Sequence, residues 1–225
     1  MKILGIETST QRASLAVVEG DAVIAEANLP DGERPSASLL LTLDTLLKAR
    51  GMGIKGIRGI AVGTGPGSFT GIRLGLATAR GLSLSLNIPI RGVCGFDNLL
   101  STYEGTASRV CPLVNAHSYG FYTAVYARDR RSFTRIREPF VCQPEELAKM
   151  VGGELFFMGP QLSMFRETLA RVFGVCASFD ESDRFPTASS AARLYESPLA
   201  LRDDPPGAVA PLYILPGVKA VKSEK

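Results

Sequence analysis

The sequence predicts an α/β fold of mixed sheets covered by helices. Three observations predict it: closely spaced strands joined by tight turns open the chain, two amphipathic helical runs then alternate with short apolar strands, and the same vocabulary restarts beyond residue 103. At 225 residues with 45% hydrophobic content, the chain carries enough apolar material for one large domain or two compact ones.

The first lobe is expected over residues 1–102. Lys2 to Glu7 is a short apolar run, and Ala13 to Val18 forms a second one beyond the polar turn Thr8-Ser9-Thr10-Gln11. Ala22 to Leu29 follows the turn Glu19-Gly20-Asp21, so three strands form an antiparallel meander. Leu39, Leu40, Leu43, Leu46 and Leu47 recur at spacings of three and four, which predicts a helix with Ser36 or Ser38 as N-cap and Gly51 past its end. Ile57 to Val62 reads as a buried strand, 68–86 as a second helix ending before Pro89, and Pro89 to Val93 as a fifth strand. The order βββαβαβ is what a mixed sheet needs, because parallel strands must be joined by crossovers.

The second lobe is expected over 103–225, with the boundary near Thr102 to Arg109. Val110 to Asn115, Phe121 to Arg128 and Ser132 to Glu138 read as strands around the turn His117-Ser118-Tyr119-Gly120. Pro144 followed by Glu145 and Glu146 marks a helix start, since proline lacks only a donor that is idle there and the carboxylates meet the positive dipole end. A strand at Leu155 to Met158 and helices at Leu162 to Arg171 and Ala188 to Tyr195 follow. After the loop Asp203-Asp204-Pro205-Pro206-Gly207, the apolar segment Val209 to Leu215 is expected to return to a sheet or to the first lobe.

Composition narrows the function classes. The formal charge of +3 permits nucleic-acid contact without requiring it. Cys94, Cys111, Cys142 and Cys176 have neither zinc-site spacing nor the density of a disulfide scaffold, so they read as free thiols in a reducing, cytoplasmic setting. No segment reads as a signal-peptide core or a membrane span. His117 is the single histidine, which excludes any two-histidine metal site, and no GxSxG elbow occurs.

The stretch GTGPGSFTGIRLG, Gly63 to Gly75, raises the question of phosphate binding, because glycines before a helix let an anion approach backbone N–H groups. Gly65, Gly67 and Ser68 are the candidate contacts. No lysine lies between Lys55 and Lys149, so the Walker form fails, and Thr70 stands where the dinucleotide fingerprint needs glycine or alanine. The spacing leaves phosphate binding and a plain strand-to-helix turn both open. Glu7 with Thr8, Ser9 and Thr10 offers a carboxylate and hydroxyls suited to a metal-bound phosphate, or equally to capping their own turn.

Gly71 and Gly75 fall on one helical face with Thr78 and Ala79. Each interior glycine costs a helix about 1 kcal/mol relative to alanine, so another backbone is expected close by. That neighbour is either the lobe's own sheet or a helix of another subunit. Arg73 and Arg80, seven residues apart, read as a charged stripe for a partner or for solvent. Arg128, Arg130, Arg131, Arg135 and Arg137 surround one hairpin, a solvated tip or a surface for tRNA phosphates.

The segments GIETSTQRASLAVV (residues 5–18), GTGPGSFTGIRLGLATARGL (63–82) and PLYILP (211–216) closely resemble the TsaB (YeaZ) family, which takes part in making threonylcarbamoyladenosine in bacterial tRNA. The resemblance is specific over residues 3–95 and weaker elsewhere. It implies an actin, hexokinase and Hsp70-like fold with two related lobes, in which the hairpin Glu7 to Ser14 approaches nucleotide phosphates. It also implies a degenerate paralogue of the catalytic subunit TsaD, without that subunit's metal-binding histidine pair. No catalytic residue and no metal site are therefore expected, with ATP or ADP and magnesium bound only in a complex.

The resemblance further implies pairing through first-lobe helices, as a homodimer or with TsaD, joined by the ATPase TsaE. The matching positions are Leu40, Leu43, Leu47, Gly71, Arg73, Gly75, Thr78 and Arg80, and Gly75→Leu is expected to abolish association while leaving the lobe folded. Contact with tRNA is expected to be indirect or weak. A stand-alone phosphotransferase or ATPase built on Glu7 and the glycine loop is the alternative. The chain departs from the family pattern at Asn115-Ala116-His117, where many relatives carry Asp-Ala-Arg, and at Ala37-Ser38, where they carry His-Ser.

Overall fold

The computed structural model describes residues 1–30, 35–129, 132–198, 201–202 and 208–214. In chain order it contains β1 (Lys2–Glu7), β2 (Ser14–Glu19), β3 (Ala22–Asn28), α1 (Pro35–Lys48), β4 (Gly59–Gly63), α2 (Phe69–Leu86), β5 (Ile90–Val93) and α3 (Gly95–Leu100). Next come β6 (Arg109–Asn115), β7 (Phe121–Asp129), β8 (Ser132–Cys142), α4 (Pro144–Met150), β9 (Leu155–Met158), α5 (Arg166–Phe173) and β10 (Ala177–Phe179). The chain closes with α6 (Ala188–Arg193) and β11 (Leu201–Arg202).

Two compact units result, residues 1–102 with 186–212 and residues 103–185 with 213–225. The expected second lobe, 103–225, contained α6, which instead packs with the first unit. The reason is chemical. Ala188 is buried, and Ala191, Ala192 and Tyr195 are buried and cluster with Ile3, Val18, Ala61 and Val93, the outward-alternating residues of the first sheet, which need an apolar cover.

The first unit holds a six-stranded sheet in the order β11-β5-β4-β1-β2-β3. β1 pairs antiparallel with β2, Glu7 opposite Ser14, and parallel with β4, Ile6 opposite Val62. Leu4, Ile6, Leu15 and Val17 point to the other face, where Leu39, Leu43 and Leu47 of α1 and Ile72, Leu76 and Ala79 of α2 complete the core. Both faces of the central strands are thus buried, which explains why β1 and β4 read as apolar runs without alternation. Gly5 lets α6 lie flush, since a Cβ there would stand 1.9 Å from the Ala188 carbonyl oxygen.

The second unit repeats the plan with a five-stranded sheet, β10-β9-β6-β7-β8, antiparallel across β6, β7 and β8 and parallel across β6, β9 and β10. Its core joins Cys111, Leu113, Phe121, Val125 and Phe157 to Leu147 of α4 and Leu169 of α5. The two related α/β lobes expected from the sequence are the fold observed.

Several local expectations are revised. Ser36 and Ser38 lie inside α1 instead of capping it, because Pro35 already occupies the first turn, where its missing N–H is harmless. The helix expected at Leu162 to Arg171 splits into a 3-10 turn, Leu162–Met164, and α5. In the final segment, 208–214 is not a strand; Val209 is buried in the first unit's core and the Leu212 N–H donates to the Thr64 carbonyl at 2.8 Å, while Leu215 lies outside the described residues. No helix among the described residues is long and apolar enough to cross a membrane.

Candidate functional site

The site is built where β1 turns into β2, against the loop that leads from β4 into α2. Ser68 caps α2, its Oγ accepting the Gly71 N–H at 3.1 Å, and Asn87 closes the helix in the left-handed conformation at φ 53°. The glycines just before and within the helix have specific neighbours. A Cβ at Gly67 would stand 2.0 Å from the Ser9 carbonyl oxygen, and Gly67 has φ +151°. A Cβ at Gly71 would stand 2.0 Å from the Thr8 carbonyl oxygen, and one at Gly75 would stand 2.4 Å from Thr8 Oγ1. The small residues therefore admit the β1–β2 turn.

Hydrogen bonds lock the same contact. The Ser68 N–H donates to the Ser9 carbonyl at 2.7 Å, and Thr8 Oγ1 donates to the Gly71 carbonyl at 2.7 Å. A phosphate cradle needs N–H groups aimed at open space. Here the Ser68 amide and the space over Gly67 are both taken by one oxygen of the chain itself, the Ser9 carbonyl.

Glu7 lies beneath this contact, fully buried at the end of β1. Its Oε1 accepts the Ser9 N–H at 2.8 Å, and Gly63 leaves room for it, because a Cβ there would meet Oε2 at 2.3 Å. Burial pushes the Glu7 carboxyl above its ordinary value, with hydrogen bonds from Ser9 and Thr8 pulling the other way. Glu7 Oε2, Ser9 Oγ and Thr10 Oγ1 are buried and have no hydrogen-bond partner among the described residues. The group is polar and compact, yet among the described residues no cluster of three or more His, Cys, Asp or Glu side chains is placed to hold a metal.

The expected partner-facing residues divide. Leu43, Leu47, Gly71 and Gly75 are buried inside the first unit, so they cannot present themselves to another chain. Their helical spacing gave the face correctly but not its neighbour, which is the lobe's own core. Leu40 is exposed at 59% and Leu41 beside it at 67%. Arg73 is exposed, its guanidinium 3.7 Å over the Phe69 ring, and Thr78 is half-buried. Arg80 departs from the charged stripe by turning to the Val209 carbonyl, to which it donates at 2.6 Å.

Sequence reasoning missed the outward face of α2. Phe69, Arg73, Ala77, Gly81 and Leu84 follow one another at helical spacing and are all exposed, with Leu84 83% accessible. A Cβ at Gly81 would meet nothing within 4 Å. Counting glycines at spacing four from Gly71 passed over Gly81, although it is just as costly to the helix.

The remaining candidates are absorbed into the second unit. Arg128 donates to the Gly105 carbonyl and lies over Phe133, and Arg135 Nε donates to Tyr126 Oη at 3.0 Å; Arg130 and Arg131 lie outside the described residues. His117 is exposed in a short turn at φ 55°, its N–H held by Asn115 Oδ1 at 2.8 Å. Burial pushes the Cys111 and Cys142 thiols up to about 12, which leaves them protonated and poor nucleophiles at neutral pH.

Two lobes, each a mixed sheet flanked by helices, with the loop before α2 closed from within by the Ser9 carbonyl, define an α/β fold of two related units. A family model described as "TsaD: tRNA N6-adenosine threonylcarbamoyltransferase" matches residues 33–213. The chain is 32% identical over 168 residues, 71% of each chain, to the tRNA threonylcarbamoyladenosine biosynthesis protein TsaB of Escherichia coli (strain K12). It is 27% identical over 177 residues, 77% of each, to TsaB of Bacillus subtilis (strain 168). YeaZ from Pseudomonas aeruginosa superimposes with a TM-score of 0.76 at 22% identity, over 95% of this chain and 99% of that one. The chain belongs to the TsaB (YeaZ) family, within the wider family of TsaD-like sequences.

Proposed function

We propose that this chain is an accessory, non-catalytic subunit for threonylcarbamoyladenosine formation in tRNA, acting by binding TsaD, with TsaE joining the assembly. The observation that carries this reading is the Ser9 carbonyl seated over Gly67 and hydrogen-bonded to the Ser68 amide, where a catalytic relative would need open donors. A chain that fills its own phosphate loop acts through its surface. On this reading nucleotide and magnesium bind only in the complex, and tRNA is contacted indirectly.

The surface proposed for TsaD is the outward face of α2, Phe69, Arg73, Ala77, Gly81 and Leu84, with Leu40 and Leu41 of α1. In the isolated chain nothing rewards a glycine at position 81, since the space above it is open and the helix is weakened by about 1 kcal/mol. Close approach of a partner helix supplies the reason, and the exposed leucines supply apolar area beside it. In the absence of TsaD the same face would pair two copies. Coupled assays of purified TsaD and TsaE with this chain carrying Gly81→Arg test the reading: loss of both complex and modification, with the fold intact, is expected.

Glu7 supports a second reading, a stand-alone nucleotide-binding enzyme, because a buried carboxylate oxygen without a partner sits at the end of β1. Calorimetry with ATP and magnesium separates the two. The accessory reading predicts no binding by the isolated chain.

A further inference from the structure

We propose that a hollow in the second unit binds a small zwitterion of the α-amino acid type. The hollow is about 570 Å³ and lies at the N-terminal ends of the parallel strands β6, β9 and β10, within the size range of small-molecule sites. It lies wholly within residues 103–178, which include none of the residues proposed to meet TsaD.

The lining pairs two aromatic rings with two unlike charges. Tyr103 and Phe156 both line the hollow, ring centroids 4.8 Å apart. Tyr103 is fixed there, since its hydroxyl oxygen accepts the Ala107 N–H at 3.2 Å and Gly105 carries no side chain to displace it; a Cβ at Gly105 would meet that hydroxyl at 2.3 Å. Arg109, the first residue of β6, is also fixed, because Nη1 donates to the Gly152 carbonyl. Its Nε–H is buried with no acceptor among the described residues. A buried donor left unmatched is unfavourable, so the guanidinium keeps hydrogen-bonding capacity that no group among the described residues uses.

Glu154, at the entry to β9, lines the same hollow. It is exposed and makes no ion pair among the described residues, with Arg109 or any other cation. A guanidinium and a carboxylate that share a hollow without closing on each other present a positive and a negative pole to one ligand. A carboxylate suits the planar fork of Arg109, and an ammonium suits Glu154. The two rings that share the lining suit an apolar side chain. A phosphate ester is disfavoured by Glu154 and a polyamine by Arg109, so the two poles together select a molecule carrying one charge of each sign.

The test uses the full ¹⁵N-labelled chain titrated with L-leucine and L-phenylalanine, followed by amide shifts. The single-charge counterparts of leucine, 4-methylpentanoate and 3-methylbutylamine, are titrated in parallel. The expected result is a saturable shift of the Gly105, Ala107, Gly153 and Glu154 amides by an amino acid, with each counterpart binding about tenfold or more weakly. Glu154→Gln, an exposed substitution that leaves the fold intact, is expected to weaken leucine to the level of 4-methylpentanoate. Arg109→Met is expected to lose the carboxylate preference. Absence of any saturable shift up to the solubility limit of both amino acids overturns the proposal. So does equal binding of leucine and either counterpart, or an unchanged leucine affinity in Glu154→Gln.

Discussion

The Ser68 amide donates to the Ser9 carbonyl at 2.7 Å, and the same oxygen lies 2.0 Å from where a Cβ on Gly67 would stand. This contact joins the β1–β2 turn to the start of α2 and decides what the glycine-rich loop can do. Oxygen faces the loop from inside the chain, so glycine is needed there for packing.

Gly67→Ala and Gly71→Ala each place a Cβ against backbone oxygen that cannot swing away, and each is expected to lose at least about 1–3 kcal/mol in urea unfolding. Gly75→Leu, which the sequence alone would have reserved for partner binding, is expected to unfold the first unit, seen by circular dichroism. Its side chain would collide with Thr8 Oγ1, 2.4 Å from the Cβ position. A folded Gly75→Leu protein would contradict the packing described.

Gly81 should behave in the opposite way. With nothing within 4 Å of its Cβ position, Gly81→Ala is expected to stabilise the isolated chain by about 0.4–1 kcal/mol. Gly81→Arg should keep the far-ultraviolet spectrum of the native chain and lose TsaD in size-exclusion chromatography. An unchanged complex would remove the α2 face from the interface.

A pH profile tests Glu7. Its folded-state value is raised above the ordinary 4.5 by burial, so the neutral form is favoured in the folded chain. The stability it contributes is fully present below the unfolded value and is lost as pH rises through the raised folded value. Glu7→Gln keeps an acceptor for the Ser9 N–H and cannot ionise. Its stability relative to the wild type should therefore grow as pH rises from about 4.5 and then level off. Parallel profiles for the two proteins would mean that Glu7 is not desolvated.

The return of the chain to its first unit makes a further prediction. Truncation after Phe185 exposes Ile3, Val18, Ala61 and Val93, which α6 and Tyr195 cover, and the shortened chain is expected to be insoluble or unfolded. Gly5→Val should weaken the same junction, because its Cβ position lies 1.9 Å from the Ala188 carbonyl oxygen.

Much of this architecture was legible in the sequence because local signals carried it. The meander of β1 to β3, the strand–loop–helix unit around Ser68 and the proline start of α4 follow from periodicity, turn chemistry and capping. Other elements were hidden for physical reasons. All six residues of α3 are buried, so it shows no amphipathic period, and β10 and β11 are too short to show any. The candidate site was half legible. Spacing placed Gly71 and Gly75 on one face, but only the three-dimensional position of Thr8 says that this face looks inward. Gly81 was overlooked since an outward glycine is recognised by the empty space above it, which no spacing reveals.

The central claim is tested most directly by mass spectrometry of tRNA nucleosides after reconstitution from purified TsaD, TsaE and the remaining pathway proteins, with and without this chain. Threonylcarbamoyladenosine should form only when the chain is present, and its Glu7→Gln variant, in which no catalytic group is removed, should support the same amount. Full modification in its absence would contradict the account.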